Sequence, residues 1–139
     1  MTIQETENEI IDEFALFDDW MAKYEYLIDI GKSLPLIDSK HKTDDYLIKG
    51  CQSQVWLHAA VKDDKIVFTA DSDAIITKGI ISLLVRVMSG HSAEEIMNAD
   101  LSFIDKIGLK ENLSPTRANG LVSMIKQMKL FALALSKNK

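Results

Sequence analysis

The chain has 139 residues, 47% of them hydrophobic and 27% charged, which is enough to build a core in one domain, residues 1–139. A formal net charge of −5 and a pI near 5.1 have the wrong sign for a nucleic-acid binder. A single cysteine excludes an internal disulfide and a cysteine-built metal cage, and points to a reducing, cytoplasmic setting.

The N-terminus carries Glu5, Glu7 and Glu9 where a secretory leader needs positive charge and an apolar run. Two capping boxes can be read there, Thr2 with Glu5 and Thr6 with Glu9. Ile3, Ile10, Ile11 and Phe14 then recur at helical spacing. A second helix follows, with Phe17, Trp20, Met21, Tyr24, Leu27 and Ile28 on an apolar face and Asp18, Asp19, Lys23, Glu25 and Asp29 on the other. The Trp20–Tyr24 stripe reads as core. Gly31 and Pro35 bracket the helix end, because proline disfavours helix in the residue before it.

Residues 37–45 are polar and loop-like, and then the period changes. Tyr46, Leu47 and Ile48 read as a short strand, residues 55–62 as a half-buried strand and residues 66–70 as a third, the last two joined by a tight turn at Asp63 and Asp64. The expectation is a three-stranded antiparallel meander whose first turn carries Cys51. Asp71, Ser72 and Asp73 close the sheet and supply a cap for a helix over residues 74–89. That stretch is apolar on nearly every side, so it reads as a buried helix; it is too short for the ~20 residues of a membrane span and holds Lys78 and Arg86. Gly79 in its middle suggests the close approach of another backbone.

Gly90 stops that helix, and Ser92 with Glu95 opens a short one carrying Ile96 and Met97. Residues 101–107 predict a further turn or two before Gly108. Ser114 and Pro115 read as a cap and first helical residue, after which Leu121, Met124, Ile125, Met128, Phe131, Ala132 and Leu135 keep helical spacing around an internal Gly120. The fold class is α+β, a small antiparallel sheet covered by helices. Charge is uneven: residues 1–30 hold nine acidic residues and one lysine, residues 111–139 one acidic residue and five basic ones. Two solvated helix faces of opposite sign account for this, and the same asymmetry can steer a protein partner.

A lone cysteine is by default a small buried hydrophobe. Cys51 instead stands among Lys49, Gly50, Gln52, Ser53 and Gln54, where Gly50 suits a tight turn that lifts the thiol clear. Its chemistry needs the thiolate, which Lys49, turn amides and the start of the following helix can favour. With no second cysteine the thiol can form a mixed disulfide or persulfide, or act as an acyl-enzyme nucleophile. The acyl route needs a general base, and His41, His58 and His91 are the choices. His58 reads as covering the sheet, and His41 and His91 as solvent groups. Their scatter gives no metal-ligand spacing. Arg117, in the first turn of the last helix, opposes the helix dipole, which fits either a carboxylate or anion outside the helix or an exposed arginine of no special role. Asp71 and Asp73 read as a turn and a helix cap.

The stretch Gly50-Cys51-Gln52-Ser53-Gln54-Val55-Trp56 resembles the signature of the SufE family, the sulfur-acceptor partners of cysteine desulfurases. Asp71-Ser72-Asp73-Ala74 running into Lys78-Gly79 is also similar to the family pattern, as is Ser114-Pro115-Thr116-Arg117 with Asn119-Gly120-Leu121. Asp19-Trp20, Lys23-Tyr24 and Leu34-Pro35 add to the likeness, which runs in order along nearly the whole chain. The resemblance implies a SufE/IscU-like fold and a protein with no cofactor of its own, docking on a SufS/CsdA-type desulfurase that carries the pyridoxal phosphate. It implies Cys51 as persulfide acceptor and desulfurase stimulation, with an iron–sulfur scaffold as recipient and no nucleic acid or membrane. Gly50, Gln52, Ser53, Asp71, Asp73 and Arg117 would support the site or dock the partner. Such a protein is an accessory without independent turnover. A carrier of this kind can tuck its sulfur into an apolar pocket until docking, with Gly50 as the swing point. The alternatives are a cysteine-nucleophile hydrolase or acyltransferase, and a non-catalytic interaction domain whose cysteine is incidental.

Overall fold

The first helix, α1 (Ile3–Phe14), starts as its sequence demands: Thr2 accepts the Glu5 N–H while the Glu5 carboxylate accepts the Thr2 N–H. The computed structural model describes residues 1–137. The second expected capping box does not form. Thr6 already lies inside α1, buried, with its hydroxyl donating to the Thr2 carbonyl. Helix α2 (Trp20–Gly31) is capped by Asp19, whose carboxylate accepts the Ala22 N–H at 2.8 Å. Trp20 and Tyr24 pack against the core, but Met21, counted with the apolar face, is 75% exposed. Tyr26 takes the inward position, in ring contact with Phe14 and Phe17.

Strands β1 (Val55–Lys62) and β2 (Lys65–Ser72) pair antiparallel from Val55 opposite Ser72 to Lys62 opposite Lys65. Asp63 and Asp64 turn the hairpin with φ of 54° and 63°, the left-handed pair that matches strand twist. The expected third strand is absent, and the sheet has two strands among the described residues. Asp44–Tyr46 winds into a 3₁₀ turn instead, leaving Leu47 a single bridge to Trp56. The Tyr46 N–H is spent on Thr43, so a ladder cannot extend backwards from that bridge.

Helix α3 (Ile75–Met88) is the central element, packed against α2, α1, β2 and the last helix. Its inner residues Ile80, Ile81, Leu83, Leu84, Val87 and Met88 are buried, whereas Ile75 at its start is exposed. The expected close approach is real. A Cβ on Gly31 would stand 3.0 Å from the Gly79 nitrogen, and one on Gly79 would run into the Leu27 carbonyl, so α2 and α3 touch backbone to backbone. Arg86 ties α3 to α1 through Glu9 at 2.6 Å and Glu13 at 2.9 Å, and Glu13 also accepts the Tyr26 hydroxyl. Burial, with Glu13 alongside, pushes the Tyr26 hydroxyl up to about 12.

Helix α4 (Ala93–Met97) opens with the Ser92–Glu95 capping box. Helix α5 (Phe103–Lys106) is held to α1 by Glu7, a buried carboxylate that accepts the Phe103 N–H at 3.2 Å. Helix α6 (Pro115–Lys137) begins after Ser114, which accepts the Arg117 N–H. Its buried Leu121, Met124, Met128 and Ala132 close the core over α3 and α4.

Candidate functional site

The Ile48 N–H donates to the Val55 carbonyl at 2.8 Å, so residues 49–54 arch out from one backbone clasp. The far foot of the arch is pinned to the end of β2. Asp73 accepts the Gln54 N–H on its carboxylate at 3.0 Å and returns its own N–H to the Gln54 carbonyl, which also receives the Ser72 hydroxyl. Asp73 is therefore not the cap of α3, as its position in sequence suggested. The helix starts at Ala74 with no side-chain cap, and only the Ser72 hydroxyl meets the Ala74 N–H nearby. Serving the loop and capping the helix need the same carboxylate, and the loop has it.

The near foot lies on α6. Gly50 has φ of +93°, and a Cβ there would stand 2.5 Å from the Ser123 hydroxyl oxygen, so this turn requires glycine on both counts. The turn does not lift Cys51 clear. The side chain is half-buried, with its thiol donating to the Gly120 carbonyl at 3.6 Å. Gly120 leaves room beside it: a Cβ on that helical residue would sit in contact with the sulfur, at 3.4 Å.

Beside the sulfur is a cavity of about 50 Å³. Cys51, Gln52 and Ser53 form one side, Thr77 and Ile80 of α3 another, and Thr116, Arg117, Gly120 and Met124 of α6 the third. Thr77, Thr116 and Arg117 all belong to first helical turns. The positive ends of two helices thus meet at the thiol, an arrangement that favours an anion there. Burial acts the other way and pushes the Cys51 thiol up. Lys49 is exposed and lines a different groove, so it is not the cation expected to lower the thiol. Arg117 is the basic residue that lines the cavity, exposed and without an ion pair among the described residues.

Asp71 sits a short distance along β2, opposite Trp56 in the ladder. Lys42 reaches its carboxylate at 2.9 Å and Lys78 at 3.4 Å, and Lys42 also lies over the Trp56 ring. Burial raises the Asp71 carboxyl, but the Lys42 hydrogen bond, the Ser72 N–H and Lys78 together hold it below the usual carboxylate value. Of the expected residues, the structure brings Cys51, Gln52, Ser53 and Arg117 to the cavity, turns the loop at Gly50 against Ser123 and uses Asp73 to anchor it. Asp71 belongs to the neighbouring ion cluster.

None of the three histidines lines this cavity. His41 and His58 stack on each other at 3.9 Å with Tyr46 at their edge, and burial, with His41 next, lowers the His58 imidazole. His91 is not a solvent group either: its side chain is 13% exposed and faces Glu95 at 3.5 Å. A sulfur nucleophile here has no imidazole base at hand. Sequence reasoning did not assign Thr77, Thr116 and Met124 to the site; Thr116 had a signal in the Ser114–Arg117 stretch, whereas Thr77 and Met124 carry none beyond their helices. Gly120 had one, a glycine inside an otherwise regular helix.

No helix among the described residues is long and apolar enough to cross a membrane, and none of their His, Cys, Asp and Glu side chains group to hold a metal ion.

Comparison with known proteins agrees with the early motifs. The SufE family model, described as an Fe-S metabolism associated domain, matches residues 8–132. The chain is 42% identical over 127 residues to an uncharacterized SufE-like protein of Rhizobium meliloti, covering 88% of this chain and 91% of that one. It is 41% identical over 128 residues to SufE-like protein 1, chloroplastic/mitochondrial, of Arabidopsis thaliana, covering 91% of this chain but 34% of the plant protein. A SufE-like protein of Synechocystis is 34% identical over 125 residues, covering 90% of this chain and 79% of that protein. The solution structure of a hypothetical protein from Thermus thermophilus superimposes with a TM-score of 0.77 at 18% identity, covering 93% of this chain and 94% of that one, a likeness of fold alone.

Proposed function

The chain belongs to the SufE family, and on that premise we propose that it accepts sulfur from a cysteine desulfurase onto Cys51 and passes it on for iron–sulfur cluster assembly. The Cys51 thiolate attacks the terminal sulfur of the partner's cysteine persulfide. The partner's sulfur–sulfur bond breaks as the new one forms, and the partner leaves as a thiolate that takes up the proton Cys51 gave up. No external oxidant or reductant enters. Freeing the partner's cysteine restores it for another turnover, so the carrier stimulates the desulfurase. The pyridoxal phosphate that releases the sulfur belongs to the desulfurase. The final recipient is an iron–sulfur scaffold, and the exchange takes place in the cytoplasm.

The observation that carries this reading is the size of the space beside Cys51. About 50 Å³ has room for the one added sulfur atom, and no histidine lines that space to serve as the base an acyl route needs. Arg117 and the two helix starts offer positive potential where the added sulfur would carry charge. Asp73 holds the far foot of the loop while the sulfur is exchanged.

The test is intact mass after incubation with an active desulfurase, pyridoxal phosphate and cysteine, beside Cys51→Ser. The expected result is a gain of one sulfur atom, about 32 Da, reversed by reductant and absent from the variant. No gain, or a gain that survives in Cys51→Ser, overturns the proposal.

A further inference from the structure

A second and larger groove, of about 470 Å³, begins where the cysteine loop ends and runs along α6. Tyr46, Leu47 and Lys49 form one wall, and Ser123, Lys126 and Leu130 of α6 form the other. Ser123 is the residue on which Gly50 rests, so the groove and the thiol loop share a support. Beyond Lys126 the groove continues into an apolar strip of α6 that includes Phe131 and Leu133. Leu130 and Leu133 are 46% and 40% exposed, three residues apart on one helix. From Ser123 to Ala134 the feature extends along α6 for about 16 Å, the length of an extended docked segment rather than of a compact ligand.

Its charge is opposite to that of the molecule. Lys49 and Lys126 line the groove and neither makes an ion pair among the described residues, while Asp45 is the one acidic residue of the lining. On a chain of net charge −5, two uncompensated lysines beside exposed leucines select an acidic, amphipathic occupant. Position selects its owner. A protein that brings a persulfide to Cys51 meets the same loop and the same stretch of α6, since Lys49 stands just before the thiol and Ser123 one helical turn after Gly120.

We propose that the groove seats an acidic amphipathic segment of the desulfurase, its carboxylates on Lys49 and Lys126 and its apolar side chains against Leu130 and Phe131. The identity of the partner rests on the sulfur-acceptor reading; the chemistry of the segment rests on the groove itself.

Lys126→Glu and Leu130→Glu test it, with Leu130→Ala as the milder change. All three alter exposed positions outside the Cys51 cavity, and an unchanged rate of Cys51 alkylation verifies the fold. Binding of the desulfurase is measured by calorimetry without cysteine, so that it is read apart from sulfur transfer. The expected result is a Kd raised about tenfold or more by either glutamate, with a smaller rise for Leu130→Ala. Added salt should weaken the wild-type complex more than that of Lys126→Glu. An unchanged Kd in both glutamate variants, with sulfur still reaching Cys51, overturns the groove proposal and leaves the acceptor reading standing. A wild-type protein that neither binds the desulfurase nor gains sulfur overturns both. A wild-type dimer that Leu130→Glu converts to monomer, with desulfurase binding unaltered, assigns the groove to a second copy of this chain and overturns the proposal.

Discussion

The Sγ of Cys51 donates to the Gly120 carbonyl at 3.6 Å, across 69 residues of sequence, and the missing side chain of Gly120 leaves the space beside the sulfur open. A helical glycine is a local cost, and here that cost is tied to the site. Gly120→Ala adds a methyl group 3.4 Å from the sulfur, an ordinary contact, and removes a flexible residue from α6. Alanine should raise stability by up to about 1 kcal/mol, or about 3 °C in a thermal melt. The same methyl crowds the space for a second sulfur atom. The variant should therefore melt higher than wild type and take up sulfur more slowly, as read by intact mass against time.

The resting thiol should be a poor nucleophile. Burial favours the neutral form in the folded chain, so its ionisation lies above that of a free cysteine. In the pH range where the unfolded thiol has lost its proton and the folded one has kept it, the native state binds more protons, and stability falls as pH rises. The contribution is complete below the free-thiol range and is lost as pH climbs through the folded value. Denaturant melts of wild type and Cys51→Ser should diverge at alkaline pH, wild type falling faster, and iodoacetamide should react with the folded protein along a curve displaced to higher pH.

Gly50→Ala should undock the loop. At φ of +93° the new side chain costs about 1–2 kcal/mol by itself, and it also meets the Ser123 hydroxyl oxygen at 2.5 Å. Faster alkylation of Cys51 with a modest loss of global stability is the expected pair of results. Ser123→Gly in the same chain should recover part of the loss, because it relieves the contact but not the backbone strain.

Asp71→Asn should lower stability at neutral pH by about 1–2 kcal/mol, since one carboxylate serves Lys42 and Lys78 and is largely shielded from water. Its ionisation is held below the ordinary carboxylate value, so the stabilisation is present above the unfolded value and disappears as pH falls through the folded one. Urea melts of the two proteins should differ at pH 7 and converge in acid.

The helices were readable because each carried its own local signals: the Thr2–Glu5 box, the Asp19 cap, the Ser92–Glu95 box and Ser114 before Pro115. Residues that serve two elements were misread. Asp73 has the position of a helix cap but bonds to Gln54, a partner 19 residues away that no local pattern reveals. Leu47 has a strand-like neighbourhood, yet a 3₁₀ turn before it consumes the N–H that a longer ladder would need. Cys51 was identifiable by its polar company and by the family signature, whereas its burial was not, because the atoms that cover it come from α3 and α6. The distances that make a cavity are set by tertiary packing, and only Gly120 left a trace of them in the sequence.

The dependence of the thiol on Gly120 also has a consequence during synthesis. At 5–20 residues per second, roughly 3–14 s pass between addition of Cys51 and of Gly120, 69 positions later. Throughout that interval the nascent chain carries its one sulfhydryl without the wall that later covers it. Chemical damage to this cysteine should therefore concentrate in newly made chains, and a ribosome stalled before α6 would display an open thiol that the finished molecule keeps half hidden.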